Sequence, residues 1–273
     1  MKENNTVKKK AILVVSFGTT HKDTREKTIS VMKREIENEF LDYKVYEAWT
    51  SSMIRNIVLK EENLKINSVK EAMQQMLQEG ITQVVIQPTH VINGVENDSM
   101  KEDADAFQKQ FDKIIFGTPL LTAEKDFTDI CEILKAAFLN IPKDEAVVFM
   151  GHGTTHYANS AYAALEYECK DRGFLNFFMG TVEAYPDLEA VLRRLETFQP
   201  KRVHVAPFMI VAGDHAKNDL AGDKNDSWKN VLKEYGYETN IILKGLGEYE
   251  AIREVFIRHI KESLENNEKK RGN

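Results

Sequence analysis

The segment GHGTTH, residues 151–156, follows the apolar run AVVFM and repeats SFGTTH, residues 16–21, which follows AILVV. A short apolar run that ends in a glycine-bearing loop reads as a strand-to-helix junction. A chain that carries this junction twice is built on an internal duplication. The two copies agree in Gly-Thr-Thr-His and in their apolar lead-in, but Phe17 in the first is His152 in the second.

The repeat extends beyond that junction. VYEAW (45–49) resembles TVEAY (181–185), an alignment that sets Glu47 opposite Glu183. QPTHVINGVE (87–96) aligns without gaps to APFMIVAGDH (206–215), pairing Pro88 with Pro207, Gly94 with Gly213 and Glu96 with His215. IFGTPL (115–120) weakly echoes LKGLGE (243–248). All four segments keep their order in both halves. Strands are predicted at 11–16, 44–48, 83–87 and 113–116, and again at 146–150, 175–180, 202–208 and 239–243. Segments with helical period lie between them, at 24–40, 67–79, 95–111, 124–139, 157–171, 187–198 and 248–265. In the first, Ile29, Met32, Ile36 and Phe40 share one face. Strand-helix alternation predicts an α/β fold of two similar Rossmann-like domains, each a parallel sheet flanked by helices. The boundary is placed at NIPKDE, giving an N-terminal domain at 1–140 and a C-terminal domain at 141–273. Ligands of such sheets bind beyond the carboxyl ends of the strands, so the repeated loops of both domains should meet around one cleft.

The 273 residues are 42% hydrophobic and 29% charged, as in soluble globular proteins with well-filled cores. A formal charge of −6 argues against a nucleic-acid partner, which needs a basic face. The start, MKENNTVKKK before AILVV, is too short in its apolar part for a secretory signal, and no run is long enough to span a membrane. Cys131 and Cys169 are far apart in sequence and form no CxxC pair. The expectation is therefore no disulfide framework and a cytoplasmic protein.

In the second half the differences between copies introduce potential metal ligands: His152, His215 and the carboxylate of Glu183. Two imidazoles and one carboxylate suit a divalent ion such as cobalt, iron, nickel or zinc and leave coordination positions open. A plainer reading has His152 capping the next helix and His215 answering Asp214 or Asp219. The GTT turns present amides and hydroxyls at a helix start, which fits either an anion seat or a threonine cap. Neither GxGxxG nor GxxxxGK[ST] is present at the junctions, so nucleotide binding has little support. His90, in PTHVING, is expected at the cleft from the first domain, and its copy is Met209. His21 and His156 begin helices and read as solvated or capping; His204 and His259 read as structural. DHAKNDLAGDKND (214–226) reads as a solvated loop-helix, and the tail NNEKKRGN as disordered.

With these motifs assembled, the sequence resembles the anaerobic cobalt chelatases, the sirohydrochlorin cobaltochelatases of the class II chelatase type. The resemblance rests on LVVSFGTTHKDT, HVINGVE, VVFMGHG, VEAYPD, VAGDHAKND and GLGE and runs over nearly the whole chain. It implies two chelatase-like α/β domains enclosing a tetrapyrrole cleft. It further implies a lyase that inserts Co²⁺ into sirohydrochlorin on the oxygen-independent route to cobalamin, with release of two protons. Carried over by motif, His152 and His215 are the metal-binding histidines and Glu183 completes the set. His152 is also the proton acceptor, with His215 beside it in catalysis. Phe17, Gly18, Thr19, His90, Asn93, Gly94 and Glu96 are then expected to line the substrate side. Lys22, Arg25 and Arg55 are further candidates for the substrate carboxylates. Co²⁺ enters as a transiently bound substrate, and no permanent organic cofactor is expected. Iron insertion for sirohaem and a non-catalytic tetrapyrrole or metal carrier are the alternatives, and a homo-oligomer stays open.

Overall fold

The structure, a computed structural model, describes residues 9–269. Its first half runs β1 (Lys10–Ser16), α1 (Lys22–Lys27), α2 (Ile29–Glu39), β2 (Lys44–Trp49), α3 (Ser52–Glu62) and α4 (Val69–Gln78). It continues through β3 (Gln83–Pro88), α5 (Val95–Asp105), β4 (Lys113–Phe116) and α6 (Glu124–Ala137). The second half runs β5 (Ala146–Gly151), α7 (Ser160–Asp171), β6 (Phe177–Thr181), α8 (Leu188–Phe198), β7 (Arg202–Pro207), α9 (Trp228–Glu234), β8 (Glu238–Ile241) and α10 (Glu250–Lys269). Each half forms a four-stranded parallel sheet, in the orders β2-β1-β3-β4 and β6-β5-β7-β8. The two orders are the same path drawn twice. Strands β1 and β5 lie inside their sheets and are buried on both faces, which is why they read as unbroken apolar runs rather than alternating ones.

Where sequence and structure part, local chemistry explains the difference. The helix expected over 24–40 breaks at Thr28 (φ −122°, ψ −83°), whose hydroxyl donates to the Thr24 carbonyl at 2.6 Å and so competes with the helical ladder. Helix α3 is absent from the sequence expectation because only Val58 is fully buried while Met53 and Leu59 face solvent, which blurs its period. It is nevertheless started by Ser51, whose side chain accepts the Ile54 amide at 3.3 Å. Helix α9 is short and was also not anticipated. Helix α5 stops at Asp105, and Phe107 and Phe111 then turn inward to the core. The segment 214–226 is more than a solvated loop: Ala216 and Leu220 are fully buried. Of the tail, Asn266 to Lys269 continue α10, and residues 270–273 lie outside the described residues.

The largest apolar cluster joins both halves, from Ile12 and Val14 to Phe149, Phe208 and Phe256. Helices α6 and α10 explain this. Helix α6, from the first half, packs on α7 of the second, and Phe138 just past its end sets its ring edge on Phe149 (5.2 Å between centroids). Helix α10, from the second half, packs on β3, β4, α2 and α6. Its Arg253 holds Glu35 through two nitrogens (2.7 and 2.8 Å), while Arg258 and His259 reach Asp126 at 3.0 and 2.8 Å. The expectation of no disulfide is corrected here: Cys131 on α6 and Cys169 on α7 are bonded, with Cα atoms 5.4 Å apart. Their separation in sequence hid a proximity that the packing of α6 against α7 creates.

Candidate active site

Both copies of the GTT turn place glycine where no other residue fits. Gly18 has φ +101° and Gly153 φ +89°, the left-handed region. A Cβ on Gly18 would stand 2.6 Å from the Trp49 ring, and one on Gly153 would stand 2.9 Å from the Ala184 amide nitrogen. These turns release the chain from the sheet so that Phe17 and His152 project beyond the strand ends. The two rings meet across the seam between the halves, 6.4 Å apart and tilted by 55°. The threonines that follow are spent locally: Thr19 and Thr154 hydroxyls accept the amides of His21 (3.1 Å) and His156 (3.2 Å).

Strand register corrects one sequence alignment. The amides of Thr50 and Ser51 donate to the carbonyls of Ser16 and Phe17, at 2.9 and 3.3 Å. Those of Val182 and Glu183 donate to Gly151 and His152, at 3.0 and 2.9 Å. The counterpart of Glu183 is therefore Ser51, not Glu47. Glu47 lies inside β2, where it accepts the Trp49 indole N–H at 2.8 Å. The weak fourth echo also shifts, because Leu120 and Leu246 are the residues whose amides meet the matching carbonyls of His90 and Met209. The second-half set His152, Glu183 and His215 thus stands where the first half has Phe17, Ser51 and Glu96.

His152, Glu183 and His215 come together, each offering one ligand atom, with those atoms within 4.8 Å of one another. The two imidazoles stand perpendicular, 4.7 Å between centroids, and His152 Nδ1 lies 3.7 Å from Glu183 Oε2. Hydrogen bonds assign the tautomers. His152 Nδ1 is 2.8 Å from the Gly153 carbonyl, which can only accept, so Nδ1 carries the proton. His215 Nδ1 is 2.6 Å from Asp219 Oδ2, one helical turn on, and donates likewise. In both rings Nε2 keeps its lone pair, the arrangement by which an outer carboxylate or carbonyl orients a metal-binding histidine. The plainer reading of His215 as a partner of Asp219 is therefore compatible with ligation, because it uses the other nitrogen. The Glu183 side chain is half exposed, at the mouth of the group.

The remaining expected residues lie on the first-half loops that follow β1 and β3. Gly94 begins α5, Glu96 lies in its first turn, and Asn93 holds Thr122 Oγ1 at 2.9 Å. His90 follows β3, two residues past its end at Pro88. Charged contacts near these loops also join the two halves: His21 with Asp214 (3.6 Å), Lys217 with Asp23 (3.3 Å) and His156 with Asp98 (3.4 Å). His156 also caps its turn by accepting the Ala158 amide at 3.2 Å, in keeping with the capping role expected of it. His204 and His259 are structural, held by Glu145 (2.6 Å) and Asp126 (2.8 Å). Arg25 and Arg55 are already committed, to Glu62 and Glu71, and Arg25 is buried, so they do not serve as free partners for carboxylates. Sequence reading passed over Asn159, which accepts the Thr154 amide (3.0 Å) and donates to the Tyr185 carbonyl (2.5 Å). It thereby ties the His152 loop to the Glu183 loop. Tyr157 and Tyr185, on these loops, are left with their rings largely exposed.

The fold is that of chelatases with two matching α/β domains. SirB from Bacillus subtilis, solved with Fe³⁺, superposes with a TM-score of 0.66, covering 95% of this chain and 97% of its own at 13% identity. At that identity the likeness shows the fold alone. The sequence carries the assignment further: the chain belongs to the cobalt chelatase (CbiK) family, whose model matches residues 10–265. The sirohydrochlorin cobaltochelatase of Salmonella typhimurium is 36% identical over 256 residues, 94% of this chain and 97% of that protein. The sirohydrochlorin cobaltochelatase CbiKC of Nitratidesulfovibrio vulgaris is 33% identical over 255 residues, 92% of this chain and 89% of that protein. No helix among the described residues is long and apolar enough to cross a membrane.

Proposed function

We propose that this protein inserts Co²⁺ into sirohydrochlorin, with His152, Glu183 and His215 receiving the ion. The observation that carries the assignment of the site is the convergence of these three side chains, whose ligand atoms lie within 4.8 Å of one another, with Nδ1 of each imidazole held by a partner of its own. Glu183, at the mouth, meets the hydrated cation first, and its charge offsets the cost of stripping water. The two imidazoles then hold the ion by neutral lone pairs, which release it more readily than thiolates do. Insertion places one Co²⁺ in the ring and expels two pyrrole protons, so charge balances. As the metal leaves His152, its Nε2 lone pair becomes available to accept one of those protons, and the other passes to solvent. The Gly153 carbonyl holds the opposite N–H throughout and keeps the ring oriented. Phe17 faces this group across the seam with no polar atom, so metal is presented from one side of the macrocycle only.

Anaerobic absorbance spectroscopy of purified protein with sirohydrochlorin and Co²⁺ tests the reading. Metallation should proceed well above the uncatalysed rate; a rate equal to the protein-free control would leave only a carrier. Parallel runs with Fe²⁺ and Ni²⁺ at matched free-metal levels decide the ion, since a His₂-carboxylate set does not by itself select among them.

A further inference from the structure

The two walls of the cleft are built to one plan, and they differ diagonally. Phe17 follows β1 and His90 follows β3; the register of Val15 opposite Pro88, continued by the Thr89–Ser16 hydroxyl bond (2.9 Å), puts Phe17 and His90 at matching places just past neighbouring strand ends. In the second half the register of Met150 opposite Pro207 puts His152 and Met209 in the same relation. The carbonyls of His90 and Met209 accept matching leucine amides, from Leu120 (2.9 Å) and Leu246 (2.8 Å). Each wall therefore carries one imidazole and one apolar side chain, at exchanged positions.

His152 has a use in the metal group, whereas His90 has none. Both ring nitrogens of His90 are sealed from solvent and have no hydrogen-bond partner among the described residues. Burial lowers its pKa to about 4, so the ring is neutral near pH 7. A buried imidazole with neither nitrogen paired costs stability, and Met209 shows that the frame does not require it. A flat macrocycle between two walls needs about 7 Å, a contact of about 3.5 Å on each face. Phe17 and His152 leave 6.4 Å at a tilt. A macrocycle held between these two rings would need them slightly further apart, and such a parting would also uncover the loop that carries His90.

We propose that His90 contacts the substrate, its imidazole hydrogen-bonding the central pyrrole nitrogens on the ring face turned away from His152. The assignment deepens the chelatase reading and rests on it. Two of those nitrogens carry hydrogens and two carry lone pairs; a neutral imidazole offers one acceptor and one donor and can meet either kind. No proton changes hands at His90. Drawing an N–H toward His90 turns nitrogen lone pairs toward the metal face, and an uncharged ring adds no repulsion against arriving Co²⁺.

The test is metal-free titration of sirohydrochlorin into wild type, His90→Met and His90→Gln, followed by absorbance, with Co²⁺ binding and thermal melting measured on each. Methionine is the residue the second half carries at this place. His90→Met should bind the tetrapyrrole roughly 3–10-fold more weakly, the loss of a neutral hydrogen bond. Its Co²⁺ affinity should be unchanged and its melting temperature equal or higher, and His90→Gln should recover part of the loss. Wild-type tetrapyrrole affinity in His90→Met, or a loss confined to Co²⁺, overturns the assignment of His90. A wild-type protein that binds no sirohydrochlorin instead overturns the chelatase reading beneath it.

Discussion

Phe17 and His152 occupy the same place in the two halves and face each other across the seam, 6.4 Å between ring centroids. One sequence position, duplicated, has become an apolar wall on one side and a lone pair on the other. Their substitutions should therefore separate. His152→Ala should lose at least about 100-fold in turnover, the scale of general acid–base catalysis, and Phe17→Ala should raise the tetrapyrrole KM by roughly 3–10-fold, the scale of one aromatic contact. Steady-state kinetics in both substrates reads the difference; near-wild-type turnover in His152→Ala would remove it from proton transfer.

Asp219 fixes the His215 tautomer without reaching the metal group itself. Asp219→Asn is expected to weaken Co²⁺ binding roughly 10-fold or more, the usual cost of losing an outer-shell partner. Glu183→Gln and His215→Ala should weaken it further. Calorimetric titration of Co²⁺ into the metal-free protein checks the order.

Gly153 has a left-handed φ and no room for a Cβ beside Ala184 and Thr181. Gly153→Ala should lower stability by about 1–3 kcal/mol and should displace the loops that carry His152 and Glu183. Chemical denaturation gives the first number and Co²⁺ affinity the second. The solvent-facing turn at Gly173, also at positive φ (+88°) but with open space around its Cβ, should show backbone strain alone and leave Co²⁺ affinity untouched.

Asp126 ties α10 to α6. Burial by itself would raise its pKa, but His259, the Ala123 amide and Arg258 hold the carboxylate down at about 2. A carboxylate with a depressed folded-state pKa stabilises the fold above its unfolded value near ~3.9 and loses that contribution as pH falls toward about 2. The amount is about 2 kcal/mol. Urea denaturation at pH 6 and at pH 3 should show a smaller acid-induced loss in Asp126→Asn than in wild type.

The sheets, the duplication and the convergence of loops could be read from apolar runs and repeated glycines, because strand burial and left-handed turns constrain residue type tightly. The trio His152, Glu183 and His215 was visible as well, but partly by a misaligned route. Glu183 was matched to Glu47, when hydrogen bonding pairs it with Ser51. Resemblance between VYEAW and TVEAY carries no information on where a strand ends, and a carboxylate inside a strand differs in kind from one just past it. Helix α3 and the Cys131–Cys169 bond were illegible for a related reason. The first is an insertion with little buried surface, and the second depends on which helices neighbour each other in space.

That neighbourhood is reciprocal: α6 covers part of the second half and α10 covers part of the first. Each half is thus missing a piece that only its twin supplies. Severed at the 140–145 connection, the two lengths of chain should fail to fold singly, having bare apolar sheet surface where the borrowed helix belongs, and should regain their shape when mixed. On that outcome, a repeat that began as two like units would count, through this trade of helices, as one cooperative body.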